Sequence, residues 1–255
     1  MKAVEPFRFP GARGQILDGR IELPEGQARG TAVFAHCFTC TKQSKAATSI
    51  AGALAQAGWR VLRFDFTGLG DSDGAFAEAG FVCDVDDLVA ASQALAGAGH
   101  RVDLMVGHSL GGAAVIAAAE RVPSVTAIAT IGAPFKVDHV LDRLGEQIAS
   151  IPADGAGEVS IGGRPFSISR QFIDQLFDQP QAERLGRLGR ALLVCHSPTD
   201  EMVALANAKA IFDAARHPRS FIALDGADHL LTRPGSAQYA AGIIAAWARC
   251  YAPQH

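Results

Sequence analysis

Six short apolar runs recur along the chain, at 31–35, 60–64, 102–106, 125–131, 191–195 and 220–224, each bounded by turn residues. Near-continuous hydrophobicity over about five residues is what a strand covered on both faces of a sheet requires. Between the runs lie longer segments whose apolar positions follow helical spacing, at 44–57, 85–96, 110–121, 202–216 and 238–248. This alternation predicts stacked βαβ units, an α/β fold with a doubly wound, mostly parallel sheet. Upstream, 15–21 predicts an antiparallel edge hairpin turning at Gly19. After 131 the rhythm stops until 189. That interval holds an amphipathic piece at 138–148, the glycine-rich alternating stretch EVSIGGRPFSIS and a helical segment at 170–177. Set between two core strands, residues 133–188 predict a small cap inserted after the sixth strand, within one domain spanning 1–255.

Composition narrows the function classes. Of 255 residues, 49% are hydrophobic and 19% charged, enough apolar material for a sheet buried on both sides and too little charge for disorder. Twenty-three Lys and Arg against 26 Asp and Glu leave a net charge of −3 with no long basic run, so no nucleic-acid partner is expected. Prolines and arginines interrupt MKAVEPFRFPGARGQ before a secretory core forms, and no window approaches ~18 uncharged apolar residues. The expectation is a soluble cytoplasmic protein without a membrane partner. The five cysteines, Cys37, Cys40, Cys83, Cys195 and Cys250, are an odd number in a chain read as having no export signal, so free thiols are expected. Cys37 and Cys40 form a C-x-x-C, but no second pair supplies four zinc ligands; neither metal nor cofactor is expected.

The candidate chemistry centres on VGHSLGG. In an open parallel sheet, ligands gather at the carboxyl ends of strands. Ser109 lies between the strand at 102–106 and the helix beginning at Leu110, in a G-x-S-x-G turn whose glycines at 107 and 111 let strand, bend and helix pack closely. The alternative is a plain helix N-cap serine. A nucleophilic serine needs a base, and the base needs an orienting acid. Asp200 in HSPTDEMV and His229 in DGADHLL follow later strands at the same edge. Asp225 and Asp228 compete with Asp200, the former at a strand end, the latter beside the histidine itself. Of the other histidines, His108 is placed in the substrate pocket or packed beside it and His196 in a structural role. His100, His139, His217 and His255 fall in turn, cap or tail positions and are expected in solvent. The backbone N–H groups of Leu110 and Phe38 are the candidate oxyanion donors. Phe135, Phe166 and Phe172, with Phe38 and Leu110, are the candidate apolar lining of an acyl pocket.

Five motifs in order, FAHCFTC, RFDFTGLGDSDG, VGHSLGG, HSPTDEMV and GADHLL, make the chain resemble the α/β-hydrolase family over nearly its whole length. The resemblance implies Ser109 as nucleophile, His229 as base, Asp200 as its orienter, Phe38 and Leu110 as oxyanion donors, and His36 as a brace for the loop. It departs at Cys37, where the family usually has glycine. HCFTCTK and GGRPFSISRQFIDQL are also similar to small bacterial esterases, including hydrolase halves joined to OsmC-like peroxidase domains. A homodimer or an associated OsmC-like domain is therefore an expected partner, and the chain is either free-standing or one half of such a fusion. The serine carboxylesterase reading, acting on a small-molecule ester, stands against two others: a non-catalytic hydrolase-fold interaction module, and a redox protein built on Cys37 and Cys40.

Overall fold

The computed structural model describes residues 3–153 and 155–252, and not the side chains at 143 and 150. His255 therefore lies outside the described residues. In chain order, β1 (Val4–Pro10) and β2 (Ile16–Glu22) form an antiparallel hairpin, and β2 continues antiparallel onto β4 (Trp59–Phe64). The hairpin does not turn at Gly19. Gly19 lies mid-strand, opposite both Phe7 and Phe64, where a Cβ would come within 2.8 Å of Leu62. The reversal falls instead between Pro10 and Ile16, and the proline-broken N-terminal stretch serves as the edge strand, where a missing N–H is tolerated.

From β3 (Gly30–Ala35) onward the sheet is parallel, with β4, β5 (Val102–His108), β6 (Ala127–Ile131), β9 (Ala191–His196) and β10 (Arg219–Ala223). The strand order is β1-β2-β4-β3-β5-β6-β9-β10. Side chains alternate between two cores. Ala32, Phe34, Leu104 and Val106 face the layer holding α1 (Lys45–Gln56) and α7 (Ser236–Ala248). Val33 and Met105 face the layer of α2 (Phe81–Gly97), α3 (Leu110–Ala119), α5 (Gln181–Gly186) and α6 (Ala206–Ala214). The central strands β3, β5, β6 and β9 are buried at every position because both faces are covered. α3 is buried at every residue; its run of alanines and glycines lets it pack close to the sheet.

Neighbouring strands β3 and β5 send their following helices, α1 and α3, to opposite faces. The crevice that opens between them at the carboxyl edge is where an open α/β sheet receives a ligand.

The interval between β6 and β9 differs in detail from its sequence pattern. The piece at 138–148 is two short 3-10 segments, Val137–Arg143 and Gly145–Ser150, and not one helix. The glycine-rich stretch is a hairpin of β7 (Ala156–Ile161) and β8 (Arg164–Ser169). The helix after it, α4 (Arg170–Asp174), is shorter than 170–177, and α5 has no counterpart in the sequence reading. The helix expected at 202–216 begins only at Ala206; before it lies a loop in which the N–H groups of Met202 and Val203 donate to the Asp200 carboxylate and the Val203 carbonyl accepts from His196. Among the described residues no helix is long and apolar enough to cross a membrane.

Candidate active site

The bend after β5 shows why glycines crowd Ser109. A Cβ on Gly107 would lie 2.3 Å from the carbonyl oxygen of Gly111, and one on Gly111 would lie 2.5 Å from the carbonyl oxygens of both Ala35 and His36. Neither contact is tolerable, so both positions require hydrogen. Ser109 itself sits at φ +55°, ψ −125°, a conformation L-residues rarely adopt. Its N–H donates to the Ile131 carbonyl at 2.8 Å and its carbonyl accepts from Gly112 at 2.8 Å. An ordinary N-cap serine accepts a bond from the first helical turn; the Ser109 side chain makes no such bond and is directed elsewhere.

It is directed at His229. Ser109 Oγ lies 3.0 Å from His229 Nε2, and His229 Nδ1 lies 2.7 Å from Asp200 Oδ2. The other carboxylate oxygen of Asp200 accepts from the N–H groups of Met202 (2.8 Å) and Val203 (2.9 Å). Burial works to raise the Asp200 pKa, but the hydrogen bonds from His229, Val203 and Met202 outweigh it and hold the carboxyl below its usual range. The acid is therefore ionised at neutral pH, and the imidazole keeps its proton on Nδ1, leaving Nε2 free to accept. Gly132, at φ +56°, follows β6 directly; a Cβ there would stand 3.2 Å from Asp200 Oδ2 and 3.3 Å from His229 Nδ1. Asp228, the sequence neighbour that competed with Asp200, is occupied by Thr232.

Histidines behind the line hold it in place. His108 does not line the pocket: it is buried and donates from Nε2 to the His229 carbonyl at 2.7 Å. Burial, and secondarily the neighbouring His229, push its pKa down to about 4, so it stays neutral. His196, also buried, closes the Asp200 loop by donating to the Val203 carbonyl at 2.8 Å. His36 donates from Nδ1 to the Cys37 carbonyl at 2.9 Å.

A cavity of about 190 Å³ opens in front of Ser109 and His229. One wall is the loop 37–40 after β3; the cap contributes Pro134, His139 and Val140, and the β7–β8 hairpin contributes Ile161, Gly162 and Arg164. Of the five candidate lining residues only Phe38 reaches it. Phe135 faces a separate hollow with Lys136 and Pro180. Phe166 packs on Phe76 (ring centres 5.1 Å apart), and Phe172 is buried against Phe38 and Phe76. Phe76 and Phe172, together with Leu110, form the floor behind the loop, because aromatic rings bury more surface against one another than against an open cleft. His139, expected in solvent, instead lines the cavity and bonds Met202 and Asp142. No spacing in the sequence pairs Arg164 or His139 with Ser109; the hairpin and the 3-10 segment carry them there.

Cys37 and Cys40 are joined by a disulfide, against the expectation of free thiols. The reverse turn, in which the Cys40 N–H donates to the Cys37 carbonyl at 3.0 Å, brings the two Cα atoms within 5.3 Å, inside disulfide range. Cys83, Cys195 and Cys250 are free.

A sheet of this order, with serine, acid and histidine on the loops after β5, β9 and β10, is that of an α/β hydrolase. A family model described as serine aminopeptidase, S33, matches residues 26–250, and the chain belongs to this hydrolase family. An esterase domain from Rhodothermus marinus shares 43% identity and superposes with a TM-score of 0.81, covering 98% of this chain and 99% of that one. Two more distant structures share the fold. Est1E from Butyrivibrio proteoclasticus, solved with ferulic acid bound, has 16% identity, a TM-score of 0.75 and coverage of 96% and 97%. A lidless α/β serine hydrolase from Xanthomonas campestris has 20% identity, a TM-score of 0.69 and coverage of 99% and 96%. A search of curated protein sequences finds no match.

Proposed function

We propose that this α/β hydrolase is a serine carboxylesterase for small to medium carboxylic esters. The observation that carries the reading is the hydrogen-bonded line from Ser109 Oγ through His229 to Asp200, at 3.0 and 2.7 Å. In the first half-reaction Ser109 Oγ attacks the ester carbonyl carbon while His229 Nε2 takes the hydroxyl proton. The negative charge on the former carbonyl oxygen is received by the N–H groups of Leu110, at the positive end of α3, and Phe38. The leaving alkoxide takes the proton from His229, leaving an acyl-enzyme on Ser109. Water then attacks the acyl carbon, His229 again serving as base, and the acid departs.

The shape and charge of the cavity support an ester over a free amino-terminal peptide. An α-ammonium group needs a carboxylate partner, and among the described residues that line the cavity there is no Asp or Glu. The volume, about 190 Å³, is below the roughly 300–1,000 Å³ typical of drug-sized pockets, in keeping with a short acyl group. The identity to the Rhodothermus marinus esterase domain points the same way.

The test is p-nitrophenyl ester hydrolysis over increasing acyl length, beside labelling by a fluorophosphonate. Labelling on Ser109, lost with turnover in Ser109→Ala, is expected, together with a preference for short chains. Turnover that survives Ser109→Ala refutes the assignment.

A further inference from the structure

The esterase chemistry makes no use of the Cys37–Cys40 disulfide, yet both half-cystines line the cavity in front of Ser109 and bracket Phe38 between them. The segment 37–40 hangs between two fixed points. Upstream, β3 ends at Ala35 in the middle of the sheet, and the buried His36 ring ties down the Cys37 carbonyl. Downstream, Lys42 is held at three atoms: its N–H donates to Asp65 (2.5 Å), its carbonyl accepts from Arg63 (2.7 Å), and its fully buried ammonium meets Asp65, Asp71 and Asp18. Within the segment, Thr39 occupies φ +57°, unfavourable for a β-branched residue, so something outside its own preference keeps it there. Two constraints do so, the disulfide and a bond from Arg164 of the cap hairpin to the Thr39 carbonyl at 2.6 Å. The Phe38 ring, by contrast, makes only half-buried packing contacts with Phe76 and Phe172.

Resting on the esterase reading, we propose that the Cys37–Cys40 disulfide is a positioning element of the oxyanion hole, holding the Phe38 backbone N–H toward Ser109, and that a dithiol lowers turnover reversibly by opening it. Cys40 is half-buried and Cys37 buried, so a thiolate attacks Cys40 Sγ and expels the Cys37 thiolate, which takes up a proton. The second thiol of the reductant then displaces Cys40. Two protein thiols result and the dithiol leaves as a cyclic disulfide, two electrons having passed to the protein. Because the sheet and the Lys42 anchor lie outside the opened loop, reduction leaves the fold in place and acts on the segment 37–40 alone.

The experiment uses a Cys250→Ser background, which removes the exposed free thiol. Thiols are counted in denaturant, and p-nitrophenyl acetate kinetics and fluorophosphonate labelling rates are measured, before and after dithiothreitol. The oxidised protein should show two thiols, from Cys83 and Cys195, and the reduced protein four. On reduction kcat should fall about tenfold with KM unchanged, a fraction of the ~10²–10³ that removing a whole oxyanion donor costs. Labelling should slow in parallel, and diamide should restore both. The double variant Cys37→Ser/Cys40→Ser should sit at the lower kcat, melt as one cooperative unit and ignore dithiothreitol. Unchanged kcat once four thiols are counted overturns the proposal, as does a count of four after diamide. A serine double variant that keeps full turnover does the same. Absence of both turnover and Ser109 labelling in either redox state overturns the esterase reading, and this inference with it.

Discussion

Replacing Asp200 by asparagine changes one oxygen for one nitrogen, and the surrounding bonds dictate which way the amide turns. Asp200 Oδ1 accepts two backbone N–H groups, from Met202 and Val203, while Oδ2 accepts the proton of His229 Nδ1. If the Asn amide keeps its oxygen on the two backbone donors, its NH₂ faces His229. If it flips, both backbone N–H groups lose their acceptor and meet an NH₂, at about 1–3 kcal/mol for each unsatisfied donor. Two such losses exceed the small cost of moving an imidazole proton between its nitrogens, so the first arrangement wins. His229 must then accept at Nδ1 and carry its proton on Nε2, the atom 3.0 Å from Ser109 Oγ. A protonated Nε2 cannot take the serine proton. The fold should persist, with kcat for p-nitrophenyl acetate down ~10⁴-fold, the size of effect seen where the tautomer alone is wrong. Thermal melting in parallel separates this from unfolding. A folded Asp200→Asn protein that retains more than about a tenth of wild-type kcat would falsify the tautomer argument.

Three further outcomes follow from the packing. Gly111→Ala drives a methyl into two backbone carbonyls at the end of β3, and overpacking of this kind costs about 2–3 kcal/mol, so Tm should fall by roughly 5 °C or more and turnover with it; an unchanged melt contradicts the close approach. Lys42→Met leaves the buried Asp65 carboxylate without its cation and should cost about 3–5 kcal/mol in denaturant titration, with Asp65→Asn added to it recovering part of the loss. Asp87 is fully buried, and desolvation, opposed by hydrogen bonds from Thr67, pushes its pKa up to about 6. Between about pH 4 and 6 the native state therefore holds a proton the unfolded chain has lost, so this group makes the fold less stable as pH rises through that window, by up to about 3 kcal/mol. Stability measured by denaturant titration should fall for wild type relative to Asp87→Asn between pH 4 and 6 and run parallel above; a gap constant from pH 4 to 8 would show that Asp87 titrates normally.

The nucleophile and its partners were legible because their signals are local. Gly107 and Gly111 must be glycine wherever a strand turns sharply into a helix around Ser109, Asp200 follows an apolar run that forms the buried strand β9, and His229 follows one that forms the half-exposed edge strand β10. The chain order of those runs and their helices was enough to imply a parallel sheet and to put the three loops along one edge. The hairpin turn was misplaced because Gly19, which usually signals a reversal, is glycine here for contact with Leu62 and not for a bend.

The composition of the cleft was not legible. Phe135, Phe166 and Phe172 are apolar enough to line it, but only three-dimensional packing determines whether a ring faces a cavity or another ring, and they face a separate hollow beside Lys136 and Pro180, Phe76, and Phe38. His139 and Arg164 reach the site from a 3-10 segment and a hairpin whose placement rests on contacts with residues far away in sequence, such as the bond from Arg164 to Thr39. The pairing of Cys37 with Cys40 likewise depended on a turn that brings their Cα atoms to 5.3 Å. Sequence by itself thus determined the sheet, the elbow and which side chains can react, since each follows from periodicity and near-neighbour sterics. The tertiary structure alone decided what surrounds the reacting oxygen, because burial, side-chain direction and loop closure are set by contacts between segments that the linear pattern keeps apart.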